Sequence, residues 1–172
     1  MKKLITLVFM IHTMHIGQVH SENLKITGQL VSTPCVVDTI PTINLGDNIS
    51  IITLGGIGKG SEPVQYQLTL SQCPPMTSSV SITVSGIQDD NNSQLFKLDE
   101  GTGFASGAGI EIMDLDHGII LQNGQVSTVN IDDSDIMNRK AIFNLSSRLV
   151  TSKLPVVAGQ VSASVTADFT YQ

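Results

Sequence analysis

Val161-Ser-Ala163-Ser-Val165-Thr-Ala167-Asp-Phe169-Thr-Tyr171 alternates apolar and polar side chains without a break, almost to the last residue, Gln172. A period of two puts one set of side chains on a core and the other in water, which is a half-buried β-strand. The same pattern recurs in Val64-Gln-Tyr66-Gln-Leu68-Thr-Leu70, in Val80-Ser-Ile82-Thr-Val84 and in Ala141-Ile-Phe143-Asn-Leu145. Turn-forming residues separate these runs: Cys73-Pro-Pro, Asp89-Asp-Asn-Asn92, Asp116-His-Gly118, Asn123-Gly124 and Pro155. Asn123-Gly124, between Ile119–Leu121 and Val126–Ile131, reads as a β-hairpin. No window of a dozen residues carries a helical stripe. Many short strands punctuated by turns point to an all-β sandwich. The glycine-rich pieces Gly55–Gly60 and Gly101–Gly109 read as surface loops, and no linker or repeat divides the chain.

The beginning of the chain sets the compartment. Met1-Lys2-Lys3 precedes the apolar run Leu4–Ile11, and a more polar stretch ends at Val19-His20-Ser21. That order is the pattern of a cleaved secretory signal, and the run is far short of the ~20 apolar residues of a membrane helix. Residues 1–21 are therefore expected to be removed. Of nine Lys and Arg in the chain two lie in this leader, and they face fifteen Asp and Glu. An acidic chain lacks the basic patches that nucleic acid and anionic membranes require. With no Trp and few aromatics, the core must be aliphatic. Cys35 and Cys73 are the two cysteines, and in an oxidising compartment the simplest reading is a disulfide. Free buried thiols or half of a metal site are the alternatives, but no second Cys or His stands at ligand spacing.

Sequence signals for chemistry are weak. Gly55-Gly-Ile-Gly-Lys59-Gly-Ser61 resembles a phosphate loop only loosely: Thr53 stands where a glycine is needed, and no strand-to-helix pattern surrounds it. The acidic groups Asp89-Asp90, Asp114/Asp116 and Asp132-Asp133/Asp135 match no calcium loop and read as solvated turns. Beyond the leader His117 is the single histidine, set in a turn, and there is no nucleophile elbow. No catalytic residue, metal ligand, cofactor or small-molecule substrate is expected, and the chain is read as no enzyme.

The two ends hold the most informative residues. Leu24, Ile26, Gly28 and Leu30 occupy alternate positions in Glu22-Asn-Leu24-Lys-Ile26-Thr-Gly28-Gln-Leu30-Val-Ser-Thr-Pro34-Cys35. Ile43-Asn-Leu45-Gly46, a cysteine closing the strand Gln65–Cys73, Val84-Ser-Gly86 and Gly109-Ile-Glu-Ile112-Met-Asp114 follow in order. Ala158-Gly159-Gln160 opens the last strand, and the chain closes on Ala167-Asp-Phe-Thr-Tyr171-Gln172. Taken together this order resembles the type 1 and P pilus subunits of chaperone–usher fimbriae, over essentially the whole mature chain. The short extension before Gly28 resembles that of minor or adaptor subunits.

The resemblance implies an incomplete immunoglobulin-like sandwich: six strands plus an N-terminal donor strand. Residues 1–21 would be the signal, 22–33 an extension merging into the first strand, and 34–172 the pilin domain. Val161, Ala163, Val165, Ala167, Phe169 and Tyr171 would line one side of an acceptor groove. A periplasmic chaperone would fill this groove transiently, and at an outer-membrane usher the extension of a neighbouring subunit would replace it. Leu24, Ile26, Gly28 and Leu30 would insert into the neighbour, with Gly28 where no side chain fits. The competing reading makes residues 22–33 the protein's own first strand. The implied function is structural, in a polymer on the cell surface that supports adhesion. A tip adhesin or a terminating subunit is the alternative, and a secreted hydrolase the weakest one. Two-domain adhesins need roughly twice this length.

Overall fold

The alternating runs become strands because β-branched and aromatic side chains pack on a pleated surface. A computed structural model of the chain describes residues 34–38 and 40–172. The expected signal (1–21) and extension (22–33), with Leu24, Ile26, Gly28 and Leu30, lie outside the described residues. β1 (Val36–Val37), β2 (Val64–Ser71) and β3 (Ser79–Gly86) are followed by β4 (Phe96–Lys97), β5 (Ala108–Asp114) and β6 (Ile119–Ile120). Then come β7 (Val126–Asn130), β8 (Ala141–Thr151) and β9 (Val165–Tyr171). Six of these have five or more residues, matching the six-stranded expectation, and no helix occurs among the described residues.

The strands form two antiparallel sheets. The larger runs β1-β2-β8-β5-β4, with β6 also on β5, and the smaller runs β7-β3-β9. Between them lies an aliphatic core: Leu68, Leu70, Ile110, Phe143 and Leu145 from one sheet meet Val80, Ile82 and Val84 from the other. Burying each such side chain contributes about 1.5–3 kcal/mol. Cys35 and Cys73 form a disulfide that fastens the start of β1 to the end of β2. Both half-cystines are buried.

Three local readings change. Asn123-Gly124 does not close a hairpin, because β6 pairs with β5 in the larger sheet while β7 pairs with β3 in the smaller. The turn carries the chain from one sheet to the other, and Gly124 at φ +79° bonds its N–H to the Val84 carbonyl. The tight hairpin is at Asp114–Ile119, where Gly118 N–H reaches the Asp114 carbonyl. β8 extends past Leu145 to Thr151, since Ser146 and Ser147 are buried in it despite breaking the alternation. The second glycine-rich piece is no free loop: Gly109 sits inside β5, and a Cβ on Gly107 would meet the Lys153 carbonyl at 2.6 Å.

Candidate functional site

β9 forms the edge of the smaller sheet. It pairs with β3 from Val80↔Tyr171 to Gly86↔Val165, and no strand pairs with its other side among the described residues. Burial follows the alternation of the sequence. Val165, Ala167, Phe169 and Tyr171 are half-buried, whereas Thr166, Asp168 and Thr170 are exposed. The inward residues of β3 (Val80, Ile82, Val84) are by contrast fully buried. Apolar cover is therefore complete at the middle of this sheet and incomplete at its β9 edge.

Beside that edge runs an open groove of about 970 Å³. Val161, Ala163, Val165 and Ala167 line it, along with Leu45 and Ile49 from the segment between β1 and β2. Its lining also includes Tyr66, Leu68, Ile112 and Leu149 from the larger sheet. Among the described residues Asp47 is the one charged residue lining it, so a segment occupying it must itself be apolar and must satisfy backbone groups. Burial pushes the Tyr66 hydroxyl above the usual tyrosine range, against the opposing effect of its 2.9 Å hydrogen bond to the Ser147 hydroxyl. Tyr171 is raised by burial as well. Both phenols thus stay neutral in any physiological medium.

Of the six last-strand residues named from sequence, four line the groove. Phe169 and Tyr171 share their face but pack against the core beyond it, Phe169 with its ring centroid 6.1 Å from that of Phe143. Val161 and Ala163 precede β9 itself. There the chain leaves β3 for the loop before β5: the Ser162 carbonyl accepts from Asp99 N–H and the Gln160 carbonyl from Ala105 N–H. The residues contributed by β2, β5 and β8 were not singled out from sequence. The Tyr66–Leu68 alternation marks the correct face, but nothing in it says that the face lies under a groove.

The expected solvated turn at Asp114 is a buried polar junction. Asp114, 1% exposed, ends β5 and accepts hydrogen bonds from the N–H groups of Asp116 and His117. Its second oxygen takes a bond from the Ser127 hydroxyl on β7 and lies 2.7 Å from His117 Nδ1. Burial pushes this carboxyl up, and the bonds from Ser127 and His117 more than offset that, holding it below the usual range. A serine, a histidine and an aspartate meet here without forming a nucleophilic relay, because the hydroxyl donates directly to the carboxylate. No group of three metal-ligating side chains occurs among the described residues.

An unfinished sheet edge thus lies over a mostly apolar groove. The profile of the Fimbrial protein family matches residues 24–172. The chain belongs to the fimbrial protein family. Among its relatives in Escherichia coli K12, the fimbrial-like protein YdeS is 32% identical over 160 residues, covering 87% of this chain and 85% of YdeS. The protein FimG of the same strain is 32% identical over 149 residues, covering 86% and 83% of the two chains. The crystal structure of the P pilus rod subunit PapA superposes with a TM-score of 0.65 at 18% identity. That match covers 81% of this fimbrial protein and all of PapA. The shared architecture is the immunoglobulin-like pilin sandwich, and the role of this fimbrial protein is that of a structural subunit of a cell-surface pilus.

Proposed function

We propose that this protein is assembled into its fimbria by strand exchange at the β9 edge. The observation that carries the reading is the half-buried face Val165, Ala167, Phe169 and Tyr171 beside a mostly apolar groove. An edge of this kind promotes aggregation unless a strand covers it. Strand addition supplies both missing components, a backbone ladder and alternate apolar side chains. In this reading a periplasmic chaperone covers β9 first, and an outer-membrane usher hands the subunit to its neighbour after residues 1–21 have been removed. Leu24, Ile26, Gly28 and Leu30 of residues 22–33 then fill a neighbouring groove. Family membership supports this route, as does the alternation of those four residues.

The test uses the chain from residue 22 onward with a synthetic peptide copying residues 22–33. Amide hydrogen exchange along β9 should slow at least tenfold when the peptide is added. A Gly28→Val peptide should lose the effect through overpacking, worth ~1–3 kcal/mol, and a Thr27→Val peptide should keep it. A monomer whose β9 amides are already fully protected, and stay so with peptide, would refute strand exchange.

A further inference from the structure

The two ends of the sandwich expose apolar side chains in company with opposite charges. At one end Arg139 joins two loops, its guanidinium donating to the carbonyls of Pro74 and Thr77. These loops expose Met76 (91%), Ile136 (82%) and Met137 (91%), with the exposed carboxylates Asp133 and Asp135 alongside. β8 starts at this end and, being eleven residues long, finishes about 30 Å away at the usual rise per residue. At the far end Ile52 (86%) and Ile57 (71%) stand out. The exposed residues there include Lys59 and Lys153, and Thr151 N–H, at the end of β8, donates to the Lys59 carbonyl. Neither these lysines nor these two aspartates form an ion pair among the described residues.

Single exposed apolar residues are ordinary, but several together at each end, with complementary charge, fit a contact between copies. Two different patches on one molecule make a heterologous, head-to-tail contact, the kind that propagates into a filament. The disulfide places the root of the N-terminal segment at the acidic end, since Cys35 is held to Cys73 just before Pro74. Every strand pair between the named strands is antiparallel. A segment lying antiparallel along the β9 of a neighbour emerges at Val165, the end where Lys59 and Lys153 stand. That step rests on the strand-exchange reading.

We propose that the acidic apolar end of one copy docks on the basic apolar end of the next, a side-chain interface additional to the exchanged strand. The probe is the full chain carrying Met137→Cys and Ile57→Cys, exported and assembled on bacteria, with the Cys35–Cys73 bridge verified by mass. After mild oxidation and boiling in detergent without reductant, a ladder of covalent multimers should remain, while either single-cysteine variant should stop at dimers. Adding Asp133→Lys and Asp135→Lys should cut the ladder at least fivefold, and combining these with Lys59→Glu and Lys153→Glu should restore it. Fibres visible by electron microscopy that boil down to monomers would overturn the end contact and leave strand exchange standing. Cross-links exclusively to a different subunit, or the absence of any polymer of this chain, would overturn the assignment to a second copy. Strand exchange itself is judged separately by the peptide experiment.

Discussion

β7 and β9 both hang on β3, yet one edge of the smaller sheet is closed and the other open. β7 turns Ser127 inward, and its hydroxyl reaches the buried Asp114 carboxylate at the end of β5, so a polar tie joins that edge to the larger sheet. β9 turns Val165, Ala167, Phe169 and Tyr171 inward and has no corresponding tie among the described residues. A polar junction is satisfied within the molecule and ends there. An apolar face is satisfied only by more apolar surface. The difference places the incompletely covered inner face of the smaller sheet along one strand.

The contrast is tested most severely by closing the open edge. Fusing a copy of residues 22–33 after Gln172 through a short flexible turn would add an antiparallel strand beside β9. Further burial of several half-exposed side chains should raise the melting temperature of the chain by about 10 °C or more. A fusion that leaves it unchanged means the edge is already satisfied. Second come the paired rings. Phe143→Ala, fully buried on β8, should cost ~3–5 kcal/mol in denaturant unfolding with or without the fused strand. Phe169→Ala should cost only ~1–2 kcal/mol in the open chain and distinctly more once the strand is fused. Equal costs in both backgrounds would erase the distinction between the two edges.

The β7 tie should show a smaller, pH-dependent effect. Asp114 has a folded pKa below its unfolded value of about 3.9, so the unfolded state binds more protons as the pH drops. Its contribution is complete above that unfolded value and is lost as pH falls through the folded one. Asp114→Asn should therefore destabilise by about 1–3 kcal/mol at neutral pH, and the gap to the parent should close in acid. An unchanged gap at low pH would remove the carboxylate from the account. The smallest effect belongs to the outer face of β9, where Thr170→Val should alter stability by less than ~0.5 kcal/mol.

The open edge was easier to read from sequence than the closed one. Val165 to Tyr171 carries its own instructions, because alternation is local and fixes which side chains face inward. The Ser127–Asp114 tie joins residues from different sheets, and nothing in either stretch names the other. Asn123-Gly124 misled for a related reason: a good turn dipeptide specifies a reversal, not which sheet receives the next strand. The buried Ser146 and Ser147 hid the second half of β8. They are admitted because β8 lies between β2 and β5, and Ser147 meets the Tyr66 hydroxyl. The disulfide was legible from compartment and count alone.

That disulfide also decides where tension would enter the domain. Under the strand-exchange proposal, the load in a pulled fibre arrives through the N-terminal segment at Pro34. Without the bridge it would act first on β1, whose two residues pair with Ser71 and Leu70, and would peel them from β2 one at a time. Cys35 instead passes the force covalently to Cys73, at the end of the eight-residue β2, which is laddered along most of its length to β8. Loaded along its axis, β2 resists in shear, with many hydrogen bonds sharing the pull at once. A short and mechanically weak strand is thereby taken out of the load path.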